Sequence, residues 1–132
     1  LLDARGQTRI TAELLHEVDL NQGDIVFVYT GFEGHFDDPK RYFGSYPEMT
    51  EDFAVALVQA GIRILGMDTA SPDREAPFVV HKTLLAREIL IIENLVNLEA
   101  LVGAKEFEVI ALPVKFRCAG GPVRVIARIL ES

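Results

Sequence analysis

His81 and Glu93 are the residues of this chain best suited by type and spacing to do chemistry. An imidazole and a carboxylate bracket a segment that closes on the apolar run Ile89-Leu90-Ile91-Ile92. Such a segment belongs in or beside a core, so the two polar groups stand at its margin. Together they can hold a divalent metal and move a proton. A carboxylate at the end of a buried strand is costly unless a cation or several donors compensate it. A metal ion, an arginine or backbone amides would each serve, and a lone histidine is more commonly a hydrogen-bonded structural residue.

Other groups compete for the same role. In Gly34-His35-Phe36-Asp37-Asp38-Pro39, His35 and Asp37 stand two residues apart on a polar stretch and can converge on one ion, with Asp38 as a further oxygen. The plainer reading is a Gly/Asp/Pro loop with an incidental histidine. Asp68 and Ser71 follow an expected strand, where α/β proteins gather functional groups, although an Asx-turn or helix cap explains them as well. Gly120-Gly121-Pro122 with Arg124 is too short for a phosphate-binding fingerprint and reads as a turn into the last strand.

The elements that position these groups alternate in type. A brief helix follows Thr11, which is expected to cap it. Ile25 to Thr30 is too continuously apolar for a half-exposed strand and reads as a central one. Gly31 to Met49 has no sustained period and reads as a long surface loop. Thr50 is expected to cap a helix whose Phe53, Leu57 and Ala60 share a face, and Gly61 suits the left-handed position past its end. Strands are expected at Ile62–Met67, Ile89–Glu93, Phe107–Leu112 and Val123–Leu130. Short helices are expected over His81–Glu88 and Leu95–Val102. The alternation predicts an α/β class, a layered mixed sheet flanked by short helices, within a single domain spanning residues 1–132.

Composition narrows the function classes. The 132 residues carry 13 basic and 20 acidic side chains, a net charge of −7, with the basic ones dispersed. A nucleic-acid groove, which needs clustered Lys and Arg, is not expected. Cys118 is the single cysteine, so no internal disulfide can form and a reducing cytoplasm is the expected compartment. No apolar run approaches a membrane span. Leu1-Leu2-Asp3 lacks a Met and reads like the tail of a buried strand, which leads to the expectation of a chain incomplete at its N-terminus.

Taken in order, several segments together resemble the cyclase family of metal-dependent hydrolases, which includes bacterial kynurenine formamidase and isatin hydrolase. They are Gly23-Asp24-Ile25-Val26 leading to Thr30-Gly31, Gly66-Met67-Asp68-Thr69-Ala70-Ser71, His81 with Leu84-Leu85, Ile92-Glu93-Asn94-Leu95, Leu112-Pro113-Val114-Lys115 and Pro122-Val123-Arg124-Val125-Ile126-Ala127. The resemblance implies a swivelling β/β/α-like architecture, Glu93 as a ligand to Zn²⁺ or Mn²⁺, and His81 as the catalytic imidazole that carries a proton. It implies metal-activated water attacking a small-molecule amide, of the formamide or lactam kind, and a homo-oligomer. The family's motif His-x-Gly-Thr-His-x-Asp-x-Pro-x-His has no match upstream of Ile25. His35, Asp37 and Pro39 reproduce its kernel, but after Thr30-Gly31 and without the flanking residues, which reads as coincidence. The leading expectation is therefore the C-terminal portion of an arylformamidase-like hydrolase. The alternative is a non-catalytic module, for binding or assembly, that keeps the fold without the metal.

Overall fold

Residues 1–130 are described by a computed structural model. In chain order the strands are β1 (Leu2–Asp3), β2 (Arg9–Ile10), β3 (Ile25–Tyr29), β4 (Glu48–Met49), β5 (Ile64–Met67), β6 (Leu90–Ile92), β7 (Phe107–Pro113) and β8 (Val123–Ile129). The α-helices are α1 (Pro39–Gly44), α2 (Glu51–Ala60) and α3 (Val79–Leu85). A four-stranded sheet in the order β1-β3-β5-β6 is parallel throughout, while β7 and β8 form a separate antiparallel hairpin. The α/β layering is as expected, with parallel and antiparallel pairing assigned to different sheets.

Strand alternation sorts the apolar residues into two cores. Val26 and Val28 of β3 and Leu65 and Met67 of β5 face one way, onto Phe53 and Leu57 of α2 and Val80 and Leu84 of α3. Phe27, Tyr29 and Ile92 face the other way, where Phe107, Val109, Ala111, Val123 and Val125 of the hairpin cover them. Burial on both faces explains why β3 reads as unbroken apolar sequence. Gly66 makes the second core possible, since a Cβ there would stand 2.5 Å from the Phe27 ring and 2.8 Å from Leu95.

Several local expectations need correction. Gly31–Met49 is not an open loop. It holds a 3₁₀ turn at Phe32–His35, then α1, capped by the Asp38 carboxylate accepting from the Arg41 N–H, then β4 paired to β2. These units are too short to show a period in sequence. Neither threonine caps its helix by side chain. The Thr50 hydroxyl donates to the Ile10 carbonyl at 3.0 Å, and the Asp52 carboxylate accepts from the Ala12 N–H at 2.9 Å, so the two helix starts tie to each other. Helix formation near His81 starts earlier and ends sooner than expected, at Val79 and Leu85, and only Leu98–Leu101 of the expected Leu95–Val102 helix is helical, as a 3₁₀ turn. Gly61, at φ 71°, ends α2 as expected.

Candidate active site

The parallel strands deliver their polar groups at one end. Thr30 follows β3, Asp68 follows β5 and Glu93 follows β6, all at the carboxyl ends of strands, where α/β sheets expose their crevice. Asp68 is fully buried and organises this end rather than entering chemistry. One carboxylate oxygen accepts from the Thr30 N–H at 2.9 Å and its hydroxyl at 2.8 Å, and the other accepts from the Phe32 N–H at 2.9 Å. It acts as a cap delivered from another strand, holding the start of the Phe32–His35 turn. Buried Tyr42 lies beside it, with its hydroxyl 2.9 Å from Asn94 Oδ1 and 3.3 Å from the Asp68 carbonyl. Burial, reinforced by the Asp68 charge, pushes the Tyr42 phenol up to about 12.

His81 and Glu93 come together. His81 stands on α3 and Glu93 just past β6, and His81 Nε2 lies 3.4 Å from Glu93 Oε1. Glu93 is not sealed in the interior, as a third of its side chain reaches solvent, with 29% for His81. Burial still pushes the Glu93 carboxyl above the usual carboxylate range, partly offset by His81. Among the described residues His81 is the only basic group within ion-pair distance of Glu93, so the arginine alternative is not realised.

A third participant, Asp73, escaped the sequence reading. It is buried, with its Oδ1 2.5 Å from His81 Nδ1 and its Oδ2 accepting from the Val80 N–H at 2.7 Å. The available signal was a carboxylate shortly before a helical segment, the pattern of an N-terminal cap. Ser71 donates to the Asp73 carbonyl at 2.8 Å and so braces the turn. His35 sits in its 3₁₀ turn with its ring edge-on to Phe32 at 4.9 Å, and Asp37 is exposed. Among the described residues no three His, Cys, Asp or Glu side chains are grouped as a metal site, so neither pair assembles one by itself.

The His81–Glu93 pair nonetheless fits an ion. Two donors on one tetrahedral ion with bonds of about 2.0–2.1 Å stand roughly 3.3–3.4 Å apart, which is the separation of Nε2 and Oε1. A cavity of about 470 Å³ opens against both residues, and Leu85, Leu90, Ile92, Ala111, Pro113 and Val123 give it a mainly apolar wall. Its size falls in the range of small-molecule sites. The arrangement can thus hold a cation beside an apolar ligand and present an imidazole to it. No helix among the described residues is long and apolar enough to cross a membrane.

Comparison with known proteins shows the family. The sequence pattern of the Cyclase family matches residues 2–74. An uncharacterized protein of Methanocaldococcus jannaschii is 39% identical over 106 residues, covering 79% of this chain and 53% of that protein. Kynurenine formamidase of Bacillus mycoides is 36% identical over 85 residues, covering 62% of this chain and 40% of the enzyme. Among solved structures, an isatin hydrolase bound to the product analogue thioisatinate superimposes with a TM-score of 0.81 at 25% identity, over 96% of this chain and 57% of that one. One from Bacillus stearothermophilus, described as a predicted metal-dependent hydrolase, gives a TM-score of 0.75 at 28% identity, over 93% and 58% of the two chains. The chain thus spans about half the length of the relatives it matches.

Proposed function

Because this chain belongs to the Cyclase family, a family of hydrolases, we propose that it contributes Glu93 and His81 to the metal centre of an enzyme that hydrolyses a small-molecule amide bond. The observation that carries this reading is the 3.4 Å approach of Nε2 to Oε1 beside a cavity with apolar walls. A bound Zn²⁺ or Mn²⁺ supplies a Lewis acid and lowers the pKa of its water. The chain's own part is to hold that ion with the Glu93 carboxylate, to seat the apolar portion of a formamide or lactam against Leu85, Leu90 and Val123, and to take the proton of the attacking water at His81 and hand it to the departing nitrogen. These two donors are fewer than the three protein ligands of a typical catalytic zinc site, so further positions would be filled by water, substrate or other polypeptide.

A second reading is favoured by the same distance, which suits two ligands of one ion: His81 then binds the metal rather than carrying the proton. Titration of the chain with Zn²⁺ and with Mn²⁺ tests both. Glu93→Gln is expected to weaken binding about tenfold or more, and equal affinity in native and variant chains would remove the metal reading in favour of a non-catalytic module. His81→Ala separates the roles: a proton carrier leaves metal affinity unchanged and slows hydrolysis of an aryl formamide, whereas a ligand lowers affinity itself. His35→Ala should leave affinity untouched, because its ring packs on Phe32.

The same reading makes the protein a cytoplasmic homo-oligomer. Its single cysteine and the apolar outer face of β7–β8 support this, and light scattering checks the assembly.

A further inference from the structure

We propose that Asp73 is a positioning residue of this site, fixing the neutral His81 ring as its Nδ1–H tautomer and so turning the Nε2 lone pair toward Glu93. The inference rests on the reading of His81 and Glu93 given above, but its first consequence is a property of the imidazole alone.

A carboxylate can only accept, so the 2.5 Å contact between Asp73 Oδ1 and His81 Nδ1 requires the proton on Nδ1. A neutral imidazole has one N–H, which leaves Nε2 bare. Glu93 competes from the other side for the same proton, yet at 3.4 Å its oxygen lies beyond good hydrogen-bonding distance for a ring N–H. Distance and burial therefore both favour Asp73. With the proton held there, two lone pairs face each other across the Nε2–Oε1 gap. Such a pair is stable only with a proton or a cation between them, so Asp73 makes the gap receptive to positive charge.

The orientation is as well defined as the tautomer. Asp73 Oδ2 accepts from the Val80 N–H at 2.7 Å and faces the His81 N–H at 3.4 Å, the backbone that carries the imidazole. Carboxylate and ring are thereby anchored to the same turn of α3 and move together. The Phe78 ring stands nearly perpendicular to the imidazole, with centroids 6.2 Å apart. The two carboxylate oxygens thus do different work: Oδ2 caps the helix and Oδ1 sets the ring.

That division allows a structural role to be separated from a positioning one. In Asp73→Asn the amide oxygen is retained at the two backbone N–H groups. The amide NH₂ then faces Nδ1 as a donor, and the ring proton must move to Nε2. The experiment is a long-range ¹H–¹⁵N correlation spectrum of His81 at alkaline pH, where imidazoles are neutral, on the metal-free native chain and on Asp73→Asn. The expected result is Nδ1–H in the native protein and Nε2–H in the variant, with closely similar thermal unfolding. Nε2–H in the native chain would overturn the proposal, and so would an unchanged tautomer in a folded Asp73→Asn. If the variant does not fold, the native spectrum alone decides. Zn²⁺ titration completes the test: if His81 is a ligand, Asp73→Asn should lower affinity about 10–100-fold. A native chain with the Nδ1–H tautomer whose Zn²⁺ affinity is unchanged by Glu93→Gln would refute the metal reading and leave the positioning assignment standing.

Discussion

The parallel sheet and the β7–β8 hairpin use the same kinds of apolar residue under opposite constraints. Strands β3 and β5 are short and lie between two layers, so alternate residues enter different cores and both faces are occupied, while edge strand β6 follows them at Ile91 and Ile92 and leaves Leu90 exposed. The hairpin is longer, but only its Phe107, Val109, Ala111, Val123 and Val125 face is packed. Its other face leaves Ile110, Leu112 and Ile126 exposed, with Ile110 directly opposite Ile126. The hairpin's edges differ too. The Val114 N–H donates to the Pro122 carbonyl and the Leu130 N–H to the Glu106 carbonyl. By antiparallel alternation, the odd-numbered residues of both strands then turn their N–H and C=O groups outward. Among the described residues no strand pairs with either edge. The site accordingly stands on the element held from both sides, while the hairpin serves as its cover. Chemistry that depends on ångström-level placement needs the over-determined element.

Substitutions should sharpen this contrast, with large effects at the sheet's polar end and small ones on the hairpin's outer face. Asp68→Ala should cost most, about 3 kcal/mol or more, because it strips the acceptor from three donors at Thr30 and Phe32 in a buried place. Urea unfolding measures this, and a loss below about 1 kcal/mol would break the comparison. Gly66→Ala comes next, at about 1–3 kcal/mol, since the new methyl must displace the Phe27 ring that stacks on Phe107. Its signature should reach the hairpin, as shifted Phe107 resonances.

Tyr42→Phe should cost about 1 kcal/mol by removing the hydroxyl's hydrogen bonds. It also carries a pH prediction. An unfolded tyrosine ionises near its ordinary value of 10.0, while the folded one stays neutral to about 12. The folded state therefore binds more protons between those values, and the stability from this group is lost as pH rises through them. Alkaline unfolding should be less steep in Tyr42→Phe, and ultraviolet titration should show a late phenol in the native chain that the variant lacks. Arg128→Ala on the hairpin should change stability by only about 0–0.5 kcal/mol, because its partner Glu108 is solvent-exposed.

The strands were the legible part of the fold. Ile25–Tyr29 is apolar without interruption, as burial on both faces demands, and Gly61 marked the helix end its left-handed backbone demands, whereas Ile89–Ile92 read the same way although β6 is an edge strand that leaves Leu90 exposed. The Phe32–His35 turn and α1 were not legible, since each is stabilised by a distant or single capping carboxylate rather than by a repeating face. The candidate site divides in the same way. Residue type and position named Glu93 and His81, because a carboxylate closing a buried strand needs a partner.

Local sequence by itself therefore determined which segments are buried, that the layers are α/β, and which polar groups stand at strand ends. Only the tertiary structure decided that His81 meets Glu93, that Asp73 sits behind the imidazole, that Asp68 serves as scaffold and that Glu93 retains contact with solvent. The physical reason is range. Periodicity and turn chemistry act over a few neighbouring residues, whereas the approach of two side chains on α3 and β6 depends on strand order, register and the packing of α3 against the sheet.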